Sequence, residues 1–250
     1  PAKNRDAYFT AASADAELTL AFQRGGRPLE VKLHPETTAR MKDRLYDEWI
    51  AANQKRVDEL GAKKIAYVHM KDMGDEELQQ FLKEMTGEWY RRDALILDLR
   101  FNTGGNVHDE VLNFLSRRPY LQWKYRGGRF APQPPFATAE KPIVLLVNEQ
   151  SLSDAEMTAA GFKALRLGKI VGTETYRWLI FTSDRDLVDG SFYRLPSWGC
   201  YTLEGEDIEL NGVKPDIAVP TTFQDRLQGK DPQLERAVAE IRRQLEERNP

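Results

Sequence analysis

The chain of 250 residues contains one cysteine, Cys200, so neither an internal disulfide nor a CxxC metal site can form within it. No apolar run reaches the roughly 20 residues that a membrane-spanning helix needs. The formal net charge of −3, without a basic stripe, argues against a nucleic-acid partner. The first residues lack the pattern of a signal peptide and start without a methionine, so we expect a piece of a longer protein.

Strand and helix patterns nevertheless fill most of the chain. Residues 17–33 alternate apolar and polar side chains around a Gly-Gly pair, which predicts a β-hairpin. Residues 34–60 predict a long amphipathic helix. Its expected apolar stripe is Met41, Leu45, Trp49, Val57 and Leu60.

From residue 64 to 172 strands and helices alternate, which predicts an α/β fold with a mainly parallel sheet covered by helices. The predicted strands are 64–70, 94–100, 143–147 and 169–172, and the predicted helices between and after them are 74–90, 106–118 and 152–166. Residues 126–142, rich in proline and glycine, are expected to form a loop. Short strands and turns should follow from 173 to 220, and a helix should close the chain.

Two strand ends carry residues suited to chemistry, because open α/β sheets bind ligands beyond the carboxyl ends of their strands. The first is "DLRFNTGG", with Gly104 and Gly105 before the next helix. The second is "NEQSLSD", where Ser151 and Ser153 stand between a strand and a helix. A serine at such an elbow is exposed, and nearby backbone amides can stabilise an oxyanion.

A purely structural interpretation of both motifs is also open. Serine and aspartate before a helix are common N-caps, and "SDAE" fits that role. Gly-Gly after a strand commonly forms a turn, and here it has no GxGxxG or Walker continuation that would indicate phosphate binding.

Six separated motifs resemble the tail-specific, or carboxyl-terminal-processing, serine peptidases. They are "IAYVHMKDMG", "LILDLRFNTGGNV", "VLLVNEQSLSDAEM", "LGKIVGTETY", "GVKPDI" and "LQGKDPQLERAV". The Ser-Asp pair and the "GKDPQLERAV" ending look most like the tricorn-protease branch. The resemblance implies a crotonase-like (ClpP/crotonase) α/β core at 63–250, a linking helix at 37–62 and, at 1–36, the last strands of a PDZ-like domain.

Carried onto this sequence, the resemblance makes Ser153 the nucleophile and the amides of Asp154 and Gly105 the oxyanion donors. Glu209, just before "GVKPD", matches a glutamate that supports the catalytic histidine of the tricorn branch. The resemblance implies no metal and no organic cofactor. The implied partners are a peptide or unfolded protein substrate, upstream domains of the same chain and further copies in a homo-oligomer.

The general base is the point at which the sequence departs from the family. The lysine of the Ser–Lys branch corresponds to Trp178, and Arg177 and Trp178 replace glycines, so we expect a narrowed or reshaped cleft. The tricorn branch uses a histidine upstream of its PDZ domain. The three histidines here are expected at a linker surface (His34), on a strand as a structural or cleft-wall residue (His69) and in a solvated first helical turn (His108). If the chain carries its own base, His69 and His108 are the candidates.

We therefore expect a folded chain that is nearly inactive alone, because a serine without a base is a weak nucleophile. A non-catalytic peptide- or ligand-binding module of the same fold is the alternative. An acyl-CoA enzyme of the crotonase type would leave the "GVKPD" motif unexplained.

Overall fold

The computed structural model describes residues 16–87, 89–137 and 141–248. The chain separates into two compact units, residues 1–52 and residues 53–250, with the division inside the first helix. The predicted boundaries at residues 36 and 62 stay predictions.

The first unit contains the predicted hairpin, whose strands β1 (Leu18–Arg24) and β2 (Arg27–Leu33) pair antiparallel. Gly25 and Gly26 both have positive φ, 56° and 77°, as a tight hairpin turn requires. Helix α1 (Thr38–Leu60) follows. The expected apolar stripe is wrong at both ends, since Met41, Leu45 and Leu60 are exposed and only Val57 of its members is fully buried.

The second unit is built on a five-stranded sheet in the order β11-β8-β7-β4-β3, in which all neighbours are parallel. The strands are β3 (Ile65–His69), β4 (Ala94–Asp98), β7 (Ile143–Val147), β8 (Lys169–Gly172) and β11 (Ile217–Ala218). Every residue of β3, β4 and β7 is buried, as expected for parallel strands that are covered on both faces. The predicted α/β fold is confirmed.

Helices follow the strands in the predicted alternation. They are α2 (Asp75–Thr86), a 3-10 helix (Trp89–Arg91), α3 (His108–Leu115), α4 (Asp154–Ala164), α5 (Ile208–Asn211), α6 (Phe223–Leu227) and α7 (Pro232–Arg248). Helices α3 and α4 pack against each other, and α7 packs on β4, β7 and β8. Among the described residues, no helix combines the length and the apolar character that crossing a bilayer demands.

Two further hairpins extend from the core. Strands β5 (Leu121–Lys124) and β6 (Phe130–Gln133) pair antiparallel, so the loop expected at 126–142 is wrong over residues 130–133. Pro132 made the sequence of β6 look like a loop, because proline has no amide hydrogen to donate to a sheet. A proline is tolerated at the edge of a sheet, and both strands of a two-stranded ribbon are edges. Strands β9 (Ile180–Asp186) and β10 (Phe192–Gly199) form the other hairpin.

Candidate active site

Ser153 occupies the turn between β7 and α4 in a strained backbone conformation, with φ 55° and ψ −118°. A non-glycine residue there costs about 1–3 kcal/mol, and such strain clusters at functional sites. Ser153 is partly exposed, whereas Ser151 is fully buried. The Ser151 hydroxyl donates to the Leu99 carbonyl at 2.8 Å and accepts from the Asn148 amide at 3.0 Å. Of the two serines, only Ser153 can therefore meet a ligand.

The Gly104–Gly105 loop lies directly against this turn. A Cβ atom on Gly104, where φ is +81°, would stand 2.6 Å from the Ser153 Cβ. A Cβ on Gly105 would stand 2.0 Å from the Met73 carbonyl oxygen. Neither position has room for a side chain, because the backbone of Gly104 contacts Ser153 and that of Gly105 contacts Met73. The structure thus brings the two predicted strand ends together.

Asn102, a fully buried residue that sequence reasoning missed, holds three strand ends in place. Its side-chain amide donates to the Met70 carbonyl at 2.9 Å, and its side-chain oxygen accepts from the Gly104 amide at 2.9 Å. Its backbone carbonyl accepts from the Leu152 amide at 3.1 Å. The segments after β3, β4 and β7 therefore meet at one residue, whose side chain joins the first two and whose backbone carbonyl joins the third.

Glu156 is a second residue that was missed, and its carboxylate is fully buried. It accepts hydrogen bonds from the Thr175 hydroxyl at 2.5 Å and from the amides of Arg177 and Trp178 at 2.9 and 2.8 Å. It also accepts from the Ser153 amide at 3.2 Å. The spacing Ser-x-x-Glu, which is that of a capping box, was the available signal. The carboxylate joins the Ser153 turn to the segment 175–178.

Segment 175–178 is fixed to the serine turn from its own side as well. The Trp178 carbonyl accepts from the Ser153 amide at 2.9 Å, and the Tyr176 amide donates to the Ser151 carbonyl at 2.9 Å. Arg177 has φ 70°, the left-handed conformation that glycine adopts without strain. The tryptophan that replaces the lysine of the Ser–Lys branch therefore has its backbone beside Ser153.

The Asp154 side chain caps helix α3. Its carboxylate accepts from the amides of Val107 and His108 at 2.8 and 3.1 Å, and its Oδ1 lies 2.5 Å from His108 Nδ1. Burial raises the pKa of the Asp154 carboxyl, and the neighbouring His108 opposes that rise. Only 18% of the His108 side chain is exposed, so the expected solvated histidine is wrong, because the imidazole packs on this carboxylate.

Glu209 lies in α5 and is half-buried. The segment after it joins the same loop: the Val213 amide donates to the Thr175 hydroxyl at 2.9 Å. A Cβ on Gly212 would stand 3.1 Å from the Arg177 side chain. The role assigned to Glu209, like those of Ser153, Asp154 and Gly105, stays a prediction.

His69 is closed off beneath the site, with its side chain fully buried. Burial lowers its pKa to about 4, against the opposing effect of Asp98, whose carboxylate lies 4.0 Å away. Arg100 donates to the Asp98 carboxylate at 2.7 Å and to Asp231, just before α7, at 2.9 Å. His34, in contrast, is exposed before α1.

Comparison with known proteins places this geometry in a family. Residues 64–219 match the model of peptidase family S41. The chain is 33% identical over 195 residues to the tricorn protease of Thermoplasma acidophilum and 32% identical over 236 residues to tricorn protease homolog 1 of Streptomyces coelicolor. It aligns to the crystal structure of the tricorn protease with a TM-score of 0.74 and 28% identity, over 92% of this chain and 23% of that one.

The two alignments cover 77% and 89% of this chain but only 18% and 22% of those relatives, so the chain spans about one fifth of their length. The family match covers the sheet, the Gly104–Gly105 loop, the serine turn and α5. The chain therefore belongs to peptidase family S41, and within that family it is similar to the tricorn proteases.

Proposed function

We propose that this chain is the core of a serine-type peptidase in which Ser153 is the nucleophile. The observation that carries the proposal is the strained Ser153 backbone in contact with the Gly104–Gly105 loop. Ser151, in contrast, is buried with its hydroxyl hydrogen-bonded to a backbone carbonyl. The Ser153 Oγ would form an ester bond with the substrate carbonyl as the peptide C–N bond breaks. The serine proton passes through the general base to the departing amine, and water then hydrolyses the ester.

The amides of Asp154 and Gly105 would stabilise the oxyanion of the tetrahedral intermediate. Asp154 begins α4, where the positive end of the helix dipole favours negative charge. As the first residue of α4, Asp154 has a backbone amide without a partner inside the helix, which suits this role. Removal of one oxyanion donor typically costs about 2.7–4 kcal/mol in the barrier.

The general base is proposed to come from outside the three histidines described above. His69 is buried, the Nδ1 atom of His108 faces Asp154, and His34 is exposed on the unit that ends at residue 52. A base must come within about 2.6–3.2 Å of the serine hydroxyl. Glu209 would orient the base that does so. The 250-residue chain alone is then expected to fold but to hydrolyse peptides very slowly.

The proposed substrate is a peptide or an unfolded protein segment. Upstream domains of the same chain and further copies in a homo-oligomer are the proposed partners. These proposals rest on similarity to the tricorn proteases, of which this chain spans only a part.

A serine-directed fluorophosphonate probe on the full-length protein tests the proposal. We expect covalent labelling of the wild type and none of Ser153→Ala. The control Ser197→Ala, at an exposed serine of β10, should be labelled like the wild type. Labelling that survives in Ser153→Ala would contradict the assignment. Absence of labelling together with retained peptide binding would favour the non-catalytic module, which Trp178 at the lysine position supports.

A further inference from the structure

Two aromatic residues lie on the segment whose backbone is hydrogen-bonded to the turn of the proposed nucleophile. Tyr176 and Trp178 have ring centroids 5.9 Å apart at an interplanar angle of 34°. Tyr176 is 51% exposed and Trp178 is 52% exposed. Each ring therefore has a neighbour on one side and solvent on the other.

The Trp178 backbone is held by hydrogen bonds at both its amide and its carbonyl. Its amide donates to the buried Glu156 carboxylate at 2.8 Å, and its carbonyl accepts from the Ser153 amide at 2.9 Å. The Ser153 backbone and the Trp178 backbone are thus one hydrogen bond apart. The backbone that carries the ring is therefore already ordered relative to the nucleophile, which lowers the entropic cost when a ligand packs against the ring.

The charged side chains of the same neighbourhood are paired within the protein. Glu156 is buried and accepts from four donors, and Asp154 faces the start of α3. The Arg177 side chain pairs with Glu174, with 2.6 Å between Nε and Oε1. Apolar surface, rather than a free charge, is what this loop presents to a ligand.

We propose that Tyr176 and Trp178 form a subsite for an aromatic or large aliphatic substrate side chain next to the scissile bond. Trp178 is the residue that sets this specificity. Stacked or tilted aromatic contacts add to the gain from burying apolar area, so such a side chain is favoured over alanine. This inference rests on the proposed peptidase function and adds its substrate preference.

The test uses the full-length protein and peptides of one sequence that carry Phe, Leu, Ala, Asp or Lys on either side of the cleaved bond. The wild type is expected to cleave the Phe and Leu peptides with a kcat/KM about tenfold or more above that of the Ala peptide. Trp178→Ala should reduce this ratio to near one, mainly through KM, and Trp178→Phe should retain most of it. Trp198→Ala, at a tryptophan of β10 that is 74% exposed, should leave the ratio unchanged.

Equal loss for all five peptides in Trp178→Ala would overturn the proposal, since it would show that the ring only supports the loop. A wild-type preference for Asp or Lys would overturn it as well. Tyr176→Ala provides a second variant if Trp178→Ala does not fold, and an unchanged ratio there would count against the paired subsite. Fluorophosphonate labelling of Ser153 in the wild type separates this inference from the proposed function. If Ser153 is labelled but the Phe and Leu peptides are not preferred over the Ala peptide, only the subsite is refuted. If Ser153 is not labelled, both the function and the subsite are refuted.

Discussion

Gly104 and Ser153 are so close that a methyl group on the glycine would stand 2.6 Å from the serine Cβ and 3.2 Å from its Oγ. The glycine is thus part of the wall against which the serine side chain rests. Any atom added there must push the serine or the loop away.

Gly104→Ala is expected to slow fluorophosphonate labelling of Ser153 in the full-length protein by about tenfold or more, because displacement by about 1 Å can cost 10²-fold in rate. Gly190→Ala is the matched control. Its φ of +82° equals that of Gly104 within a degree, but an added Cβ would meet nothing within 4 Å. Both variants carry the same left-handed strain, so equal labelling would show that contact with Gly104 does not position Ser153.

Glu156→Gln should loosen the segment 175–178. The Arg177 amide donates to Oε2 and the Trp178 amide to Oε1, so the NH₂ group of glutamine must replace one of these two acceptors and leave a buried donor facing another donor. Hydrogen bonds to charged groups contribute about 1.5–3 kcal/mol each, so we expect a loss of at least about 2 kcal/mol in the free energy of unfolding. Urea denaturation checks this loss, with the exposed Glu110→Gln in α3 as the control. Equal midpoints would show that the charge of Glu156 is not needed.

Asn102→Ala should destabilise the second unit by about 2–4 kcal/mol. The substitution leaves the Met70 carbonyl and the Gly104 amide without their side-chain partner in the interior, and each such group costs about 1–3 kcal/mol. Asn106→Ala, at an exposed asparagine four residues later, should change stability by less than about 0.5 kcal/mol. A cost at Asn102 no larger than that at Asn106 would contradict its role as the link between strand ends.

His69 should make stability fall as the solution is acidified. Its folded pKa is lowered from 6.5 to about 4, so between these values the unfolded chain binds a proton that the folded chain does not. The free energy of unfolding therefore rises with pH across this window, by about 2 kcal/mol from pH 5 to pH 7.

Urea denaturation at pH 5 and pH 7 measures this difference. His69→Gln should shrink it, since the variant has no imidazole to protonate while other titrating groups, such as Asp154, remain. His34→Gln, at an exposed histidine, should retain it. A difference that is unchanged in His69→Gln would show that another group is responsible.

The sheet could be predicted because its signal is local. Residues 94–97 and 143–147 are continuous apolar runs, and both lie in strands with every residue buried. The strand at 130–133 was missed because its proline and the glycines before it are locally typical of a loop, while its pairing depends on residues 121–124. The exposed part of α1 shows that prediction from local sequence is limited in a second way. Periodicity identified the helix, but it could not tell which residues of the apolar stripe would be buried.

Ser153 and Gly105 could be proposed because each follows a strand in a recognisable motif. Asn102 and Thr175 could not, because a polar residue that is buried to organise a site differs from a surface residue only in its tertiary contacts. Glu156 had the spacing of a capping box, but that spacing indicates a helix start and not its bonds to residues 175–178. Ser151 illustrates the same point. It lies two residues from Ser153, yet its hydroxyl donates a hydrogen bond to a backbone carbonyl 52 positions earlier.

The bond between Arg100 and Asp231 spans 131 positions of the chain. During synthesis, β4 and the Arg100 that follows it leave the ribosome long before the Asp231 carboxylate. At translation rates of about 5–20 residues per second, Arg100 then has Asp98 but not yet Asp231 as a partner for roughly 7–26 seconds. The second ion pair of this guanidinium can therefore form only once the chain has reached the residue directly before its closing helix.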